Sequence, residues 1–180
     1  MANHDDYLSG VRAAIENLDL DPIKVKLMYD IDGPGWSRSQ VDEADLAYRR
    51  FLFITAKYPA ATIVPSKFVD KVWHTHILDT EKYLSDCNLV FGRMLHHFPY
   101  LGMRGGQDAR DLEIAYAATE RLFTLEFGCN QTQLGHYLSP SASGSSICGG
   151  NGDCSGDTAQ SRPGNIRPHL SSQTGHVSIF

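Results

Sequence analysis

Apolar residues recur at intervals of three and four positions along most of the first 130 residues of the chain. This spacing predicts amphipathic helices over about residues 6–18, 21–29, 39–57, 66–90 and 108–127. The fourth helix either runs without a break or ends near Asp79-Thr80 and begins again there. The apolar run Thr62-Ile63-Val64 is too short to build a sheet. The pattern therefore predicts an all-α fold, a single compact helical domain of about five to six helices.

Polar and glycine residues indicate where these helices begin and end. Three predicted starts carry a residue that commonly caps a helix, namely Asp21, Ser39 and Ser66. Asp21 precedes a proline suited to the first helical turn, and Ser39 opens a segment that resembles a capping box. Gly92 and Gly128 follow apolar stretches and predict helix ends, because glycine readily adopts the left-handed conformation found there.

The composition changes near Ser139. Nearly half of the remaining residues are Ser, Gly or Pro, and Phe180 is the only aromatic residue among them. Such a segment buries too little apolar area to offset the entropy of ordering it. We therefore predict a helical metal-binding domain over residues 1–138 and an irregular tail over residues 139–180.

Charge and hydropathy exclude several classes of partner. The formal net charge is -5, and the tail's two arginines balance its two aspartates, so the first 138 residues carry all of the excess. An acidic body without a stripe of Lys and Arg argues against nucleic acid, which is bound mainly by neutralising phosphates. No apolar run is long enough to span a bilayer. The first residues are acidic and polar, so we expect no signal peptide and a cytoplasmic protein.

Four of the eight histidines lie in two short segments, as His74 and His76 and as His96 and His97. Asp70 precedes His74 by four residues, so these two side chains share one face of a helix. His76 is rotated from His74 by roughly 200° in a regular helix. Either the helix distorts near His76, or only one of the pair faces an ion while the other serves packing or a second role.

Histidine is the commonest metal ligand, and the two segments predict a metal site. The expected ligands are His74, His76 and His97, with Asp70 as a ligand or an outer partner and His96 in reserve. Sites rich in imidazole suit transition metals, here iron, copper or zinc. A site with an open position would support redox chemistry or hydrolysis of a small molecule, although the sequence does not decide whether the protein is an enzyme.

A different class of function fits the same residues. In that alternative the domain is a non-catalytic protein-interaction module, and its histidines form a structural polar core. Trp73, His76, Tyr83 and Cys87 lie along one stripe, opposite His74, and this arrangement predicts packing between helices. Among the nearby carboxylates, Asp86 is a candidate to orient a histidine from outside the metal site.

The histidine segments also resemble a known family. The segment Val69–His76 has the form Asp-x-x-Trp-His-x-His and is followed by Tyr83, Cys87, Phe91-Gly92 and His97. This order is similar to the domain of unknown function in plant glycine-rich domain proteins and their microbial relatives. The resemblance covers about residues 40–100 and implies a small helical domain without an assigned reaction. It marks as motif positions Asp70, Trp73, His74, His76 and His97.

Overall fold

Six helices and no strand make up the part of the chain that the computed structural model describes, residues 4–131. The helices are α1 (His4–Glu16), α2 (Asp21–Met28), α3 (Arg38–Lys57), α4 (Lys67–Leu78), α5 (Thr80–Phe91) and α6 (Gly106–Phe127). The predicted all-α fold is therefore confirmed. The predicted boundary at Ser139 and the tail beyond it lie outside the described residues.

The termini of α4 and α5 confirm the predicted cap at Ser66 and the predicted helix end at Gly92, and they decide between the two alternatives at Asp79-Thr80. Ser66 caps α4, since its side chain accepts a hydrogen bond from the Val69 amide. Asp79 separates α4 from α5 and caps α5 by accepting a hydrogen bond from the Lys82 amide. Gly92 ends α5 in the left-handed region, at φ 64°. The fourth predicted helix is thus interrupted at Asp79, whose backbone is not helical.

The predicted cap of α2 is wrong by one position. Leu20 is the N-cap and makes no side-chain hydrogen bond to the helix, while Asp21 is the first helical residue. The Asp21 amide instead donates to the side chain of Asp19 at 3.1 Å. Proline still lies in the first turn, where its missing N–H costs nothing.

The predicted start of α3 is also wrong, by two positions. Ser37 is the N-cap, and its hydroxyl accepts from the Gln40 amide while the Gln40 side chain accepts from the Ser37 amide. This reciprocal pair is a complete capping box, with Ser39 inside the first turn. Asp42, which occupies the third position after Ser39, forms an ion pair with Arg38 at 2.8 Å.

Substitution distinguishes the two serines. We expect Ser37→Ala to lower the free energy of unfolding by about 1 kcal/mol, because an orphan amide at the start of α3 loses its acceptor. Ser39→Ala should cost less than half as much, since its hydroxyl contacts only the Ser37 hydroxyl. Urea denaturation of the two variants measures the difference, and equal losses would contradict the assignment of the cap.

Helix α3 lies at the centre of the fold and contacts α1, α2, α4 and α6. Most of its buried face is apolar or aromatic, and it includes Tyr48 and Phe51. These two rings pack against His76 and Trp73 of α4, respectively. The core thereby holds one side of α4 and leaves its other side open. Among residues 4–131, no helix combines the length and the hydropathy needed to cross a bilayer.

Candidate metal centre

Two of the predicted ligands lie one helical turn apart on the outer side of α4. The side chains of Asp70 and His74 are 33% and 48% exposed. His97 approaches them from the segment that follows α5, and its side chain is 17% exposed. The structure therefore brings together one carboxylate and two imidazoles from two separate parts of the chain, as the sequence predicted for these three residues.

Three ligand atoms of this cluster form a nearly regular triangle. His97 Nε2 lies 3.1 Å from His74 Nε2 and 3.2 Å from Asp70 Oδ1. His74 Nε2 lies 3.6 Å from Asp70 Oδ1. Ligand atoms at about 2.1 Å from one ion are about 3.0 Å apart in octahedral and about 3.4 Å apart in tetrahedral geometry. The triangle therefore matches three positions around a single ion.

The electrostatics of the cluster also suit a cation. Two imidazole nitrogens and a carboxylate oxygen point at one another, and their lone pairs repel unless a proton or a cation lies between them. Two imidazoles and one carboxylate are the protein ligands of many non-haem iron(II) sites and of catalytic zinc sites. Because His74 and Asp70 are partly exposed, the side of the triangle away from the protein is accessible to further ligands.

An aromatic contact orients His97. The indole of Trp73 lies edge-on against the His97 ring, with the ring centroids 4.5 Å apart and the planes at 68°. Trp73 itself is buried and contacts Phe51 of α3 at 5.0 Å between centroids. The residue before His74 in the sequence thus supports the ligand that comes from the other segment.

His76 does not belong to this cluster, contrary to the expected ligand set. It is only 2% exposed, and its Nδ1 shares a hydrogen bond of 3.0 Å with the Tyr48 hydroxyl. Its Nε2 lies 3.0 Å from Asp86 Oδ2, without the alignment of a hydrogen bond. Helix α4 continues to Leu78, so the rotation of about 200° between His74 and His76 is kept. The helix therefore does not distort near His76. Only His74 of this pair faces the cluster, and His76 packs in the core.

Burial also determines the ionisation of His76. Loss of water around the ring lowers the pKa of His76, and the nearby Asp86 carboxylate opposes this shift only in part. In a neutral ring that accepts the Tyr48 hydroxyl proton at Nδ1, the ring proton is on Nε2. That N–H then lies on the side of Asp86. The sequence offered no signal for Tyr48 as a partner, since it lies on another helix 28 positions earlier.

The remaining predicted residues have separate positions. His96 is exposed and is not part of the triangle, although it directly precedes His97. Asp86, a candidate outer partner, faces His76 and also pairs with Lys82 at 2.9 Å. Within residues 4–131, the group Asp70, His74 and His97 is the one set of three such side chains close enough to hold an ion.

Fold and site together define a helical domain with a partly exposed group of two histidines and one aspartate. The family model described as UCP032817-like matches residues 12–120, which include all three of these side chains. The chain therefore belongs to the UCP032817-like family, which is uncharacterised. Comparison with curated proteins and with solved structures gave no match. The similarity to plant glycine-rich domain proteins stays a prediction.

Proposed function

We propose that this protein binds one transition-metal ion through Asp70, His74 and His97. The observation that carries the proposal is the convergence of their three ligand atoms at separations of 3.1, 3.2 and 3.6 Å. The set of donors favours iron or zinc, and copper remains a further candidate because imidazole binds it well. His96 and His76 have no part in the proposed site.

We further propose that the ion acts on a small molecule, as an oxidoreductase or a hydrolase. When bound, it would supply a Lewis acid or a redox centre at the surface of the domain. Three protein ligands on one side leave positions on the exposed side for a substrate or for water. The acidic body supports a function without nucleic acid, and a cytoplasmic location remains part of the proposal.

The second candidate, an interaction module with a structural polar core, finds support in one histidine. His76 is buried between Tyr48 and Asp86, which is how a histidine in a polar core would be held. The same description does not fit His74, which is about half exposed. The structural role therefore explains His76, and the metal site explains the convergence of His74 and His97 with Asp70.

Elemental analysis of protein purified without an affinity tag tests the proposed function. The chelated protein is supplied in turn with Fe²⁺, Zn²⁺ and Cu²⁺, dialysed and analysed. We expect close to one ion per chain for at least one metal and almost none in the His74→Ala/His97→Ala double variant. Far-UV circular dichroism verifies that the double variant keeps its helices.

Two results would contradict the proposal. One is the absence of stoichiometric binding of every metal by the unsubstituted protein. The other is equal binding by the double variant, which would place the ion elsewhere in the chain. Thermal unfolding adds an independent measurement, since an ion that binds only the folded state raises its stability by mass action.

A further inference from the structure

The proposed metal site draws its ligands from two segments that are not adjacent in the chain. Asp70 and His74 lie on α4, whereas His97 lies in the irregular segment between α5 and α6. A site of this kind has a definite geometry only if something holds the second segment against the first. Bound metal alone would do so at the expense of affinity, because it would have to order the segment on binding.

One buried side chain joins the two segments. The Tyr83 hydroxyl, on α5, accepts a hydrogen bond of 2.8 Å from Trp73 Nε1 on α4. The same hydroxyl donates a hydrogen bond to the backbone carbonyl of Leu95. Trp73 directly precedes His74, and Leu95 lies two residues before His97. Through a single oxygen atom, Tyr83 therefore connects the residue next to His74 with a residue two positions before His97.

Burial and ring packing make this connection rigid. Tyr83, Trp73 and Leu95 are all buried. The Trp73 ring, held by Tyr83, is the ring that lies against His97. Because Trp73 and Leu95 are buried, losing the Tyr83 hydroxyl would remove a hydrogen bond from each of them at a place with little access to water.

We infer that Tyr83 is a positioning residue of the metal site, which sets the place of His97 relative to Asp70 and His74 before an ion binds. This inference rests on the proposed function. Tyr83 touches neither the ion position nor any ligand atom of the triangle, and it acts through Trp73 and through the backbone at Leu95. In metal sites generally, partners of this kind change metal affinity by about 10–100-fold when removed.

The chain offers a matched control in Tyr48. Tyr48 is as deeply buried as Tyr83, and its hydroxyl also makes a hydrogen bond to a buried partner. That partner is His76, which does not belong to the triangle. Tyr48→Phe and Tyr83→Phe therefore remove the same group from the same core, but only the second change breaks the connection to the metal ligands.

The test compares metal affinity in the two variants and in the unsubstituted protein. Titration with Co²⁺, followed by its visible absorption, reports both affinity and ligand geometry. We expect Tyr83→Phe to weaken binding by about 10–100-fold and to change the Co²⁺ spectrum. Tyr48→Phe should keep the spectrum and most of the affinity. Equal effects of the two substitutions, or no effect of Tyr83→Phe, would overturn the inference.

A measurement without metal separates this inference from the proposed function. Nuclear magnetic resonance of the histidine rings, assigned with a His97→Ala variant, reports the surroundings of each imidazole in metal-free protein. We expect Tyr83→Phe to shift the His97 signals towards those of a freely exposed histidine and Tyr48→Phe to shift mainly the His76 signals. Unshifted His97 signals in Tyr83→Phe would overturn the positioning role, whereas failure of the unsubstituted protein to bind any ion would overturn the proposed function.

Discussion

Replacing His97 with alanine should weaken metal binding by at least about 100-fold. Removing a residue that only orients a metal ligand weakens binding by about 10–100-fold, and removing a ligand should cost at least as much. His97 Nε2 makes the two shortest sides of the ligand triangle, at 3.1 and 3.2 Å. Without it only Asp70 and His74 remain, and these are an exposed pair one turn apart on a helix. Two such ligands do not enclose an ion.

His96→Ala is the matched control for this substitution. It removes the same side chain from the neighbouring position, in the same segment, but His96 is exposed and lies outside the triangle. We therefore expect its metal affinity to equal that of the unsubstituted protein. The pair of variants separates a defined site from general binding of metal by a histidine-rich surface.

Thermal unfolding with and without the ion measures the effect on a scale independent of titration. At a free ion concentration of 100 times the dissociation constant, one site stabilises the folded state by about 2.7 kcal/mol. We expect this stabilisation in the unsubstituted protein and in His96→Ala, and its loss in His97→Ala at the same concentration. If the ion stabilised His97→Ala as much as His96→Ala, His97 would not be a ligand.

Phe51→Ala should lower the free energy of unfolding by about 3–5 kcal/mol, the usual range for removing a phenylalanine from a packed core. Phe51 is fully buried in α3 and lies between Tyr48 and Trp73, with ring centroids 6.2 and 5.0 Å away. Truncation leaves a cavity beneath the helix that carries Asp70 and His74. A loss of this size is a large part of the stability of a small domain.

Leu46→Ala, in the same helix, serves as the comparison for Phe51→Ala. Leu46 is nearly half exposed, so its truncation should cost less than about 1 kcal/mol. Urea denaturation of both variants measures the difference. A loss below about 1 kcal/mol for Phe51→Ala would contradict the position of α3 at the centre of the fold.

Helix boundaries were predictable where a single residue type decides them. Gly92 and Gly128 end their helices in the left-handed conformation that glycine adopts at low cost. Ser66 was predictable as the cap of α4 because a serine there precedes the apolar pattern that begins at Phe68. The start of α3 was not predictable in the same way, because Ser37 and Ser39 both have a suitable residue three positions later. Only the hydrogen bonds formed by Gln40 distinguish them.

The candidate site was predictable only in part. The spacing of Asp70 and His74 places both on one face of α4, and the same geometry turns His76 away from them. No rule of spacing applies to His96 and His97, because they lie outside a regular helix. Which of these two neighbours meets α4 depends on how their segment is held.

The amino-acid sequence by itself determined the all-α class, the helix ends at Gly92 and Gly128 and the pairing of one carboxylate with one imidazole on α4, because these depend on interactions within a few residues. Only the tertiary structure decided that His97 completes the group and that His76 joins the core with Tyr48. Those contacts join residues 23 and 28 positions apart, and they depend on how the helices pack. Packing of Trp73 and the hydrogen bonds of Tyr83 supply the reason, since they place the segment after α5 against α4.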